Sequence, residues 1–233
     1  MKYCAVIPAR GGSKTIKNKN RIKINGVPLI KYSLMHASFC KKIGKIFVTS
    51  DDDKILNLCN NYNCEVIKRP KNISSDSATL EEVLNHTILF MKKRKLFADN
   101  IVLLQPTSPI RFSGDISKAI NYYEKKKLDS LFSYVNFHSL FWKKKGKKLT
   151  SINYNPKKRQ NRQNMPDYLI ENGSIYIFKT KLFSKYNNRL FGKIGGYEMK
   201  KICIYEIDDP SDIEEFKKIL TIYPKLKWKK NEK

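Results

Sequence analysis

Short apolar runs alternate along the chain with longer segments in which apolar residues recur at every third or fourth position. The short runs predict strands at residues 3–7, 45–49, 64–67, 100–104, 130–135, 174–178 and 202–207. The periodic segments predict helices at residues 28–39, 51–61, 79–91, 115–123 and 211–222. Strands that alternate with helices predict a three-layer α/β fold around a mostly parallel sheet.

The helix predicted at residues 79–91 has the clearest pattern. Its apolar side chains fall on one stripe, and Thr79 with Glu82 matches a capping box at its start. The run at residues 100–104 is apolar almost throughout, which predicts a strand that is buried on both faces.

Residues 137–166 break this alternation, since they are polar, basic and weakly periodic. A structureless segment of that length is uncommon in a compact domain unless it is a functional arm or packs on a partner. We therefore predict one domain over residues 1–233, from which residues 137–166 project as a basic arm.

The composition excludes several classes of protein. Hydrophobic residues make up 41% of the 233 residues, too many for a disordered chain. No apolar run approaches the roughly 18 residues that span a bilayer, and the N-terminal run is too short for a secretory signal. The five cysteines form no C-x-x-C pair, which argues against a disulfide framework or a zinc site. These features predict a soluble, cytoplasmic protein without membrane insertion.

The chain is strongly basic, with 47 Lys and Arg against 21 Asp and Glu and a net charge of +26. Such a charge attracts anions, whether nucleic acids, membrane surfaces or small phosphorylated substrates. No acidic residue lies between Asp129 and Asp167. The sequence shows no helix-turn-helix, RNP or zinc-finger spacing. We therefore favour a basic surface that reflects composition over a nucleic-acid partner.

A basic turn with two glycines follows the first predicted strand. Its candidate ligand-binding residues are Arg10, Gly11, Gly12, Ser13, Lys14, Lys19 and Asn20. Paired glycines let the backbone approach an anion, and Arg and Lys supply the charge. The spacing matches neither G-x-G-x-x-G nor G-x-x-x-x-G-K-[ST], which disfavours a dinucleotide fold and a P-loop NTPase. We predict a phosphate-binding loop in preference to an ordinary glycine-rich turn.

A second polar turn, L-Q-P-T-S-P-I-R at residues 104–111, closes the buried strand. Two prolines stiffen this turn, while Gln105 and the hydroxyl groups offer directional hydrogen bonds. The composition of this turn alone fits a rigid connection between two elements as well as it fits a ligand-binding loop. Its position favours a ligand role, because ligands in open α/β sheets bind beyond the carboxyl ends of the strands.

Glu206 and Asp208 lie two residues apart at the end of a predicted strand, so their side chains are expected on one face. Two carboxylates on one face suit a Mg²⁺ ion that bridges phosphate oxygens. The alternative is an acidic helix N-terminus, and we assign Asp209 and Asp212 to that role.

Several motifs occur in the order of one known family. I-P-A-R-G-G-S-K at residues 7–14, R-P at 69–70, Q-P-T-S-P at 105–109, E-N-G-S-I-Y at 171–176 and E-I-D-D-P-S-D at 206–212 resemble the acylneuraminate cytidylyltransferases. These enzymes are also called CMP-sialic acid synthetases, and their close relatives act on legionaminic and pseudaminic acids. The resemblance spans almost the whole chain. It implies a Rossmann-like nucleotide-diphospho-sugar transferase fold with a projecting dimerisation arm.

The resemblance also implies an activity: transfer of CMP from CTP to the anomeric hydroxyl of a nine-carbon keto-sugar acid, with release of pyrophosphate and help from Mg²⁺. The implied partners are CTP, the sugar acid and a second copy of the chain, in the synthesis of cell-surface polysaccharide. The hydroxyl would attack the α-phosphate in line, without a covalent enzyme intermediate. No residue stands out as a general base.

Site residues follow from the same resemblance. The catalytic residues are Arg10, Lys19, Gln105 and Arg162. The nucleotide-binding residues are Arg10, Gly11, Gly12, Ser13, Lys14, Lys19, Asn20, Arg69 and Ser75, with Arg69 at the cytosine edge. The sugar-binding residues are Gln105, Ser108, Arg162 and Asn172. The metal ligands are Asp208 and Glu206.

Two departures from the family pattern concern the sugar. Relatives often carry two successive arginines where this chain has Asn161 and Arg162, and an aspartate where it has Glu206. The acceptor therefore stays open among N-acylneuraminic, legionaminic and pseudaminic acids. A shorter keto-sugar acid is a further alternative, and a basic nucleic-acid-binding protein is the alternative from another class.

Overall fold

The structure is a computed structural model that describes residues 1–60 and 62–226 and, for Arg162, the backbone only. Numbered along the chain, its strands are β1 (Tyr3–Pro8), β2 (Lys23–Ile24), β3 (Val27–Pro28), β4 (Lys45–Ser50), β5 (Cys64–Lys68), β6 (Asn100–Leu104), β7 (Ser130–Phe137), β8 (Trp142–Lys145), β9 (Lys148–Ser151), β10 (Tyr168–Lys179) and β11 (Ile194–Glu198). Its helices are α1 (Leu29–Ser38), α2 (Asp53–Cys59), α3 (Leu80–Lys93), α4 (Asp115–Lys125), α5 (Thr180–Tyr186) and α6 (Pro210–Ile222).

The central layer is a seven-stranded sheet with the strand order β11-β7-β10-β6-β1-β4-β5. Strand β1 pairs in parallel with β4 and β6, β4 pairs in parallel with β5, and β7 with β11. Strand β10 runs antiparallel to its neighbours β6 and β7. The predicted three-layer α/β fold with a mostly parallel sheet is therefore confirmed.

Helices bury both faces of this sheet. Along β1, Ala5 and Ile7 join the core on the side of α1, α2, α4 and α6, whereas Cys4 and Val6 join the core on the side of α3 and α5. None of these four side chains is exposed. The alternation follows from strand geometry, in which successive side chains point to opposite faces.

The start of α3 is set by the capping box that the sequence predicts. Thr79 Oγ1 accepts a hydrogen bond from the Glu82 backbone N–H at 3.2 Å, and Glu82 Oε2 accepts one from the Thr79 backbone N–H at 2.7 Å. Two backbone donors that the helix leaves unpaired are thereby satisfied. The predicted apolar stripe is the face of α3 that packs on the sheet.

The strand predicted at residues 202–207 is wrong. Lys201–Ile204 forms a short 3-10 helix, and the chain then runs to α6 without joining the sheet. The apolar residues of this segment are explained by packing, because Cys203 and Ile207 are buried in the core. Glu206 and Asp208 therefore lie in a connection between helices and not at a strand end.

The sequence pattern did not predict the two short hairpins, β2–β3 and β8–β9, nor strand β11 and helix α5. Strand β11 contains Gly195 and Gly196, which weaken a strand signal, yet a Cβ at Gly195 would clash with Leu128. Helix α5 covers only Thr180–Tyr186, too short for a clear period. Within the described residues, no helix is both long enough and apolar enough to cross a membrane.

Residues 137–166 contain a two-stranded hairpin of β8 and β9 that lies outside the seven-stranded sheet. Its apolar side chains are largely open to solvent: Trp142 is 47% exposed, Leu149 61% and Ile152 63%. Part of the segment that lacks a helical or strand period in the sequence thus forms a hairpin. Its role as a dimerisation arm stays a prediction.

Leu84 and Leu89 of α3 allow a test of this core, because Leu84 is fully buried and Leu89 is 56% exposed. We expect Leu84→Ala to lower the free energy of unfolding by about 2–5 kcal/mol, since it leaves a cavity. The matched change Leu89→Ala is expected to cost less than about 0.5 kcal/mol. Denaturant titration followed by circular dichroism measures both, and equal costs would contradict the assignment of the buried face.

Candidate active site

Four connecting segments meet beyond the carboxyl ends of the strands and line a cavity of about 360 Å³. They are the loop after β1, the segment between β5 and α3, the turn after β6 and the connection before α6. The cavity wall includes the predicted residues Arg10, Gly12, Ser13, Lys19, Asn20, Arg69, Ser75, Gln105 and Asp208. The fold therefore brings together residues that lie up to two hundred positions apart in the chain.

Two cations of the loop after β1 converge on one carboxylate. Arg10 Nη1 lies 2.6 Å from Asp76 Oδ1, and Lys14 Nζ lies 3.1 Å from Asp76 Oδ2. Hydrogen bonds from Lys14 and Arg10 hold the pKa of Asp76 below its ordinary value. Asp76 thus marks a position where the loop stabilises negative charge, although the Lys14 side chain is itself 77% exposed.

The two glycines of this loop have different surroundings. The Gly11 backbone N–H donates to Asp51 Oδ1 at 2.9 Å, and a Cβ at Gly11 would lie 2.7 Å from Asp52 Cβ. Gly11 therefore allows the loop to pack against the segment before α2. Gly12 lines the cavity, and nothing lies within 4 Å of a Cβ placed there. Of the two glycines, Gly12 is therefore the one whose backbone a ligand can approach.

Lys19 and Asn20 form the other side of the loop. Lys19 Nζ lies 2.9 Å from Asp208 Oδ1, and only 11% of the Lys19 side chain is exposed. Asn20 Nδ2 donates to the Arg10 carbonyl at 2.9 Å, and its buried Oδ1 has no protein partner. Asn20 therefore supports the backbone from which Arg10 extends.

Arg69 lies at the base of the cavity, directly after β5, and is 5% exposed. Its Nη2 donates to the Thr49 carbonyl at the end of β4 at 2.9 Å, and its Nε has no partner. Burial lowers the pKa of the Arg69 guanidinium. Ser75 lies nearby on the wall, with its Oγ 3.0 Å from Ser77 Oγ.

Gln105, Ser108 and Glu206 converge on Gly173. Gly173 has a φ of +63°, and a Cβ there would lie 2.9 Å from Ser108 Oγ and 3.1 Å from Gln105 Oε1 and would also clash with Glu206. Ser108 Oγ donates to Glu206 Oε1 at 3.2 Å. A glycine is required at this position, both for the positive φ and for the close approach of three polar side chains.

The electrostatics of Glu206 and Asp208 fit a divalent cation. Burial raises the pKa of Glu206, a hydrogen bond from Ser108 opposes this, and the nearby charge of Asp208 raises it further. No cluster of three or more His, Cys, Asp or Glu side chains in the described ranges is arranged to hold a metal ion. Two carboxylates suffice for Mg²⁺ when substrate phosphates supply further oxygens. The donor set therefore fits a hard cation that binds together with a phosphorylated substrate.

Two predicted sugar-binding residues are placed differently. Asn172 is 1% exposed, and its amide accepts from Ser133 Oγ at 2.6 Å and donates to the Cys203 carbonyl at 3.0 Å. Arg162 begins a short 3-10 helix, and its side chain lies outside the described part of the structure. Contact of either residue with a sugar stays a prediction.

Sequence reasoning missed Asp76 and Gly173. Asp76 follows Ser75 in a segment without a period, so its pairing with Arg10 and Lys14 had no signal beyond its charge. Gly173 lies inside the E-N-G-S-I-Y motif, where a glycine in a strand indicates a bulge or a close approach. The assignment of Asp212 to capping is confirmed, because Asp212 Oδ2 accepts from the Asp209 backbone N–H at 2.7 Å.

Residues 4–231 match the profile of the family described as cytidylyltransferase. The chain belongs to the cytidylyltransferase family. This membership confirms the predicted resemblance and the predicted class of nucleotidyltransferase.

Relatives of this cytidylyltransferase fall into two groups by length. It is 32% identical over 216 residues to post-translational flagellin modification protein B of Campylobacter coli, a match that covers 89% of this chain and 90% of that one. It is 33% identical over 214 residues to N-acylneuraminate cytidylyltransferase A of Danio rerio, a match that covers 90% of this chain and 48% of that one. The chain spans about half the length of the N-acylneuraminate cytidylyltransferases that it matches.

Solved structures share the fold of this cytidylyltransferase. CMP:2-keto-3-deoxy-manno-octonic acid synthetase in complex with CTP superposes with a TM-score of 0.67 at 16% identity, over 95% of this chain and 99% of that one. 4-Diphosphocytidyl-2C-methyl-D-erythritol synthase from Anaerococcus prevotii gives 0.65 at 16% identity, over 94% and 98%. These similarities confirm the fold.

The raised pKa of Glu206 predicts an effect on stability with a definite sign. The folded state disfavours the ionised form of the Glu206 side chain. The ionised side chain therefore destabilises the fold when the pH lies above the pKa of Glu206 in the folded state. This penalty disappears as the pH falls below the pKa in the unfolded state, about 4.3. We expect Glu206→Gln to raise the free energy of unfolding at neutral pH, and the gain to shrink toward pH 4.

Thermal and denaturant unfolding in the absence of divalent cations measures this effect. Glu214→Gln serves as the control, because Glu214 is 65% exposed on α6 and is expected to give no gain. A Glu206→Gln variant that is less stable than the wild type at neutral pH would contradict the electrostatic analysis of the cavity.

Proposed function

We propose that this chain transfers CMP from CTP to the anomeric hydroxyl of a nine-carbon nonulosonic acid, N-acylneuraminic acid in the first instance, and releases pyrophosphate. The arrangement that carries the proposal is a single cavity lined by Arg10, Lys19, Gln105 and Asp208, with Glu206 close to Gln105 at Gly173. The names of the relatives support CTP as the donor and a sialic-type acid as the acceptor.

The triphosphate would bind to Arg10, Ser13, Lys14 and Lys19, with the backbone of Gly12 beside it. In this structure Arg10 and Lys14 are paired with Asp76, and Lys19 with Asp208. Phosphate oxygens would replace Asp76 as the partners of Arg10 and Lys14. The same cations would then stabilise the charge that develops on the leaving pyrophosphate.

The cytosine would be selected at the base of the cavity, where Arg69 and Ser75 lie. Arg69 is held by the Thr49 carbonyl, and its unpartnered Nε is a buried donor. A wrong base would leave such donors unpaired, which costs more than the loss of one hydrogen bond. Asn20 would fix the nucleotide indirectly, through the backbone of Arg10.

Asp208 and Glu206 would hold Mg²⁺, which neutralises charge on the phosphate oxygens when it is bound. Gln105 lines the cavity, and its side chain and that of Glu206 both approach Gly173; its amide would orient the sugar hydroxyl toward the α-phosphate. Arg162 would bind the sugar carboxylate. Displacement would be in line, with the rate gained from positioning and charge neutralisation.

A second candidate acceptor is legionaminic or pseudaminic acid. The observation that favours it is the match to the flagellin modification protein of Campylobacter coli, which covers 90% of that protein compared with 48% of the Danio rerio enzyme. A nonulosonic acid made for flagellin and one made for a cell-surface polysaccharide would require the same chemistry at the phosphate. The two candidate functions differ only in the sugar acid that accepts CMP.

A homodimer in the cytoplasm is part of the proposal. The β8–β9 hairpin exposes Trp142, Leu149 and Ile152, and exposed apolar patches of this kind indicate protein interfaces. All five cysteines are free thiols, as expected in a reducing compartment. The proposal requires no nucleic acid as a partner, because binding of CTP, a phosphorylated substrate, would account for the cations of the cavity.

The activity is tested by pyrophosphate release from CTP with N-acetylneuraminic, legionaminic and pseudaminic acids and a shorter keto-sugar acid, side by side. We expect turnover with CTP and at least one nine-carbon acid, and none with ATP, GTP or UTP. No release of pyrophosphate with any of these acids would overturn the proposal. Turnover with only the shorter acid would correct the acceptor.

Asp208→Asn tests the metal site. We expect it to lower turnover by about 100-fold at saturating Mg²⁺, because a catalytic cation contributes several kcal/mol of charge stabilisation. Asp53→Asn is the matched control: the Asp53 side chain is 75% exposed on α2, and its loss is expected to leave turnover unchanged. Near-normal turnover of Asp208→Asn would show that the metal is held elsewhere.

Arg10→Ala separates the enzyme from the nucleic-acid alternative. We expect it to raise the KM for CTP by about tenfold or more, as the loss of a charge-assisted contact costs 1.5–3 kcal/mol. The Lys217→Ala change on the exposed face of α6 is the control and is expected to be silent. Tight binding of a polynucleotide that survives Arg10→Ala, without CTP turnover, would favour the alternative.

A further inference from the structure

Arg111 is a buried cation that the proposed function does not use. It closes the L-Q-P-T-S-P-I-R turn, yet it is completely buried, at 0% exposure. In the described part of the chain no carboxylate forms an ion pair with it. Burial lowers the pKa of the Arg111 guanidinium to about 9. An unpaired buried charge is costly, so its contacts require an explanation.

The contacts of Arg111 lie where a strand ladder ends. Nη2 donates to the Gln105 carbonyl at 2.9 Å and to the Ser174 carbonyl at 2.7 Å. The pairing of β6 with β10 stops at Leu104 opposite Ile175. Gln105 and Ser174 are the next residues along the two strands. One guanidinium nitrogen therefore binds their carbonyls at the point where the hydrogen bonds between the strands end. Planar geometry allows this nitrogen to direct one N–H to each carbonyl.

Strand β10 is irregular at this point. Its register with β7 shifts between Glu171 and Tyr176, and Gly173 has a φ of +63°. This bulge turns Gly173 toward the side chains of Gln105 and Glu206. Bulges of this kind re-aim side chains at functional sites. Arg111 therefore joins the bulge to the residue that we place between nucleotide and sugar.

We propose that Arg111 is a positioning residue, whose guanidinium sets the spacing between the Gln105 turn and the bulge at Gly173 and thereby places Gln105 and Glu206 for the transfer step. This inference rests on the proposed function. Arg111 contacts no residue of the loop after β1 in its hydrogen bonds, so the cations of that loop do not depend on it.

The third contact of Arg111 supplies a control. Nη1 donates to Ser33 Oγ at 3.1 Å, and Ser33 lies on α1, away from the cavity wall. Ser33→Ala removes a bond to the same guanidinium without touching either strand end. A purely structural Arg111 would depend on all three bonds, whereas a positioning residue depends on the two carbonyl bonds.

The test compares Arg111→Lys, Arg111→Ala and Ser33→Ala with the wild type. In Arg111→Lys we expect kcat to fall by about 10- to 100-fold, because the shorter lysine with its rotating ammonium does not fix the two carbonyls as the planar guanidinium does, and small displacements are expensive in catalysis. We expect the CTP affinity, measured by calorimetry without divalent cations so that Glu206 does not contribute through the metal, to change by less than about threefold. Ser33→Ala is expected to keep the wild-type kcat.

Guanidinium rescue adds a readout that general destabilisation would not give. In Arg111→Ala, guanidinium ion far below denaturing concentrations should restore part of kcat, while urea should restore less, since guanidinium replaces both the planar N–H donors and the positive charge of the lost side chain, whereas urea lacks the charge. Destabilisation alone predicts that guanidinium lowers activity further. Circular dichroism at the assay temperature shows that each variant is folded.

Three outcomes overturn the inference. They are a kcat within about twofold of wild type in folded Arg111→Lys, a CTP affinity that falls together with kcat, or an Arg111→Lys chain that is unfolded at the assay temperature. A wild type that releases no pyrophosphate with any sugar acid would instead reject the proposed function. The two failures are therefore distinguishable.

Discussion

The burial of both faces of the seven-stranded sheet restricts where chemistry can occur in this protein. Along β1 and β6 the strand residues are apolar and inaccessible with few exceptions, so polar side chains can reach solvent only where the strands end. The carboxyl ends of β1, β4, β5 and β6 lie at one edge, and the loops that follow supply the cavity. The position of the site is thus a consequence of the core.

Charge pairing then organises that edge. Arg10 and Lys14 are held by Asp76, and Lys19 by Asp208, so the cations are already oriented before a phosphate competes for them. Preorganised cations of this kind stabilise developing charge without reorganising during the reaction. The opposite wall is built on backbone geometry instead, with Gly173 and the buried Arg111 guanidinium aligning Gln105 and Glu206. Two independent supports therefore meet at the proposed reaction centre.

Local periodicity predicted most of the sheet and its helices, because the period of an element depends on neighbours in the chain. Strand β6 has the bounds expected from its apolar run, and α3 begins at its capping box. Periodicity wrongly predicted a strand at residues 202–207, where apolar residues pack on the core without pairing with another strand. Periodicity also failed to predict β11, because glycines interrupt its apolar pattern. In both places the deciding neighbour is distant in sequence.

The sequence by itself determined the fold class and the family, since these follow from local period and motif order; its prediction of a phosphate-binding loop follows from glycine spacing and stays a prediction. Only the tertiary structure decided that Asp76 pairs with Arg10, that Gly11 and Gly12 differ in access, and that Asn172 and Arg111 are buried. These relations depend on contacts between segments far apart in the chain. A motif specifies residue types in order, but burial and pairing exist only after the strands have been assembled into a sheet.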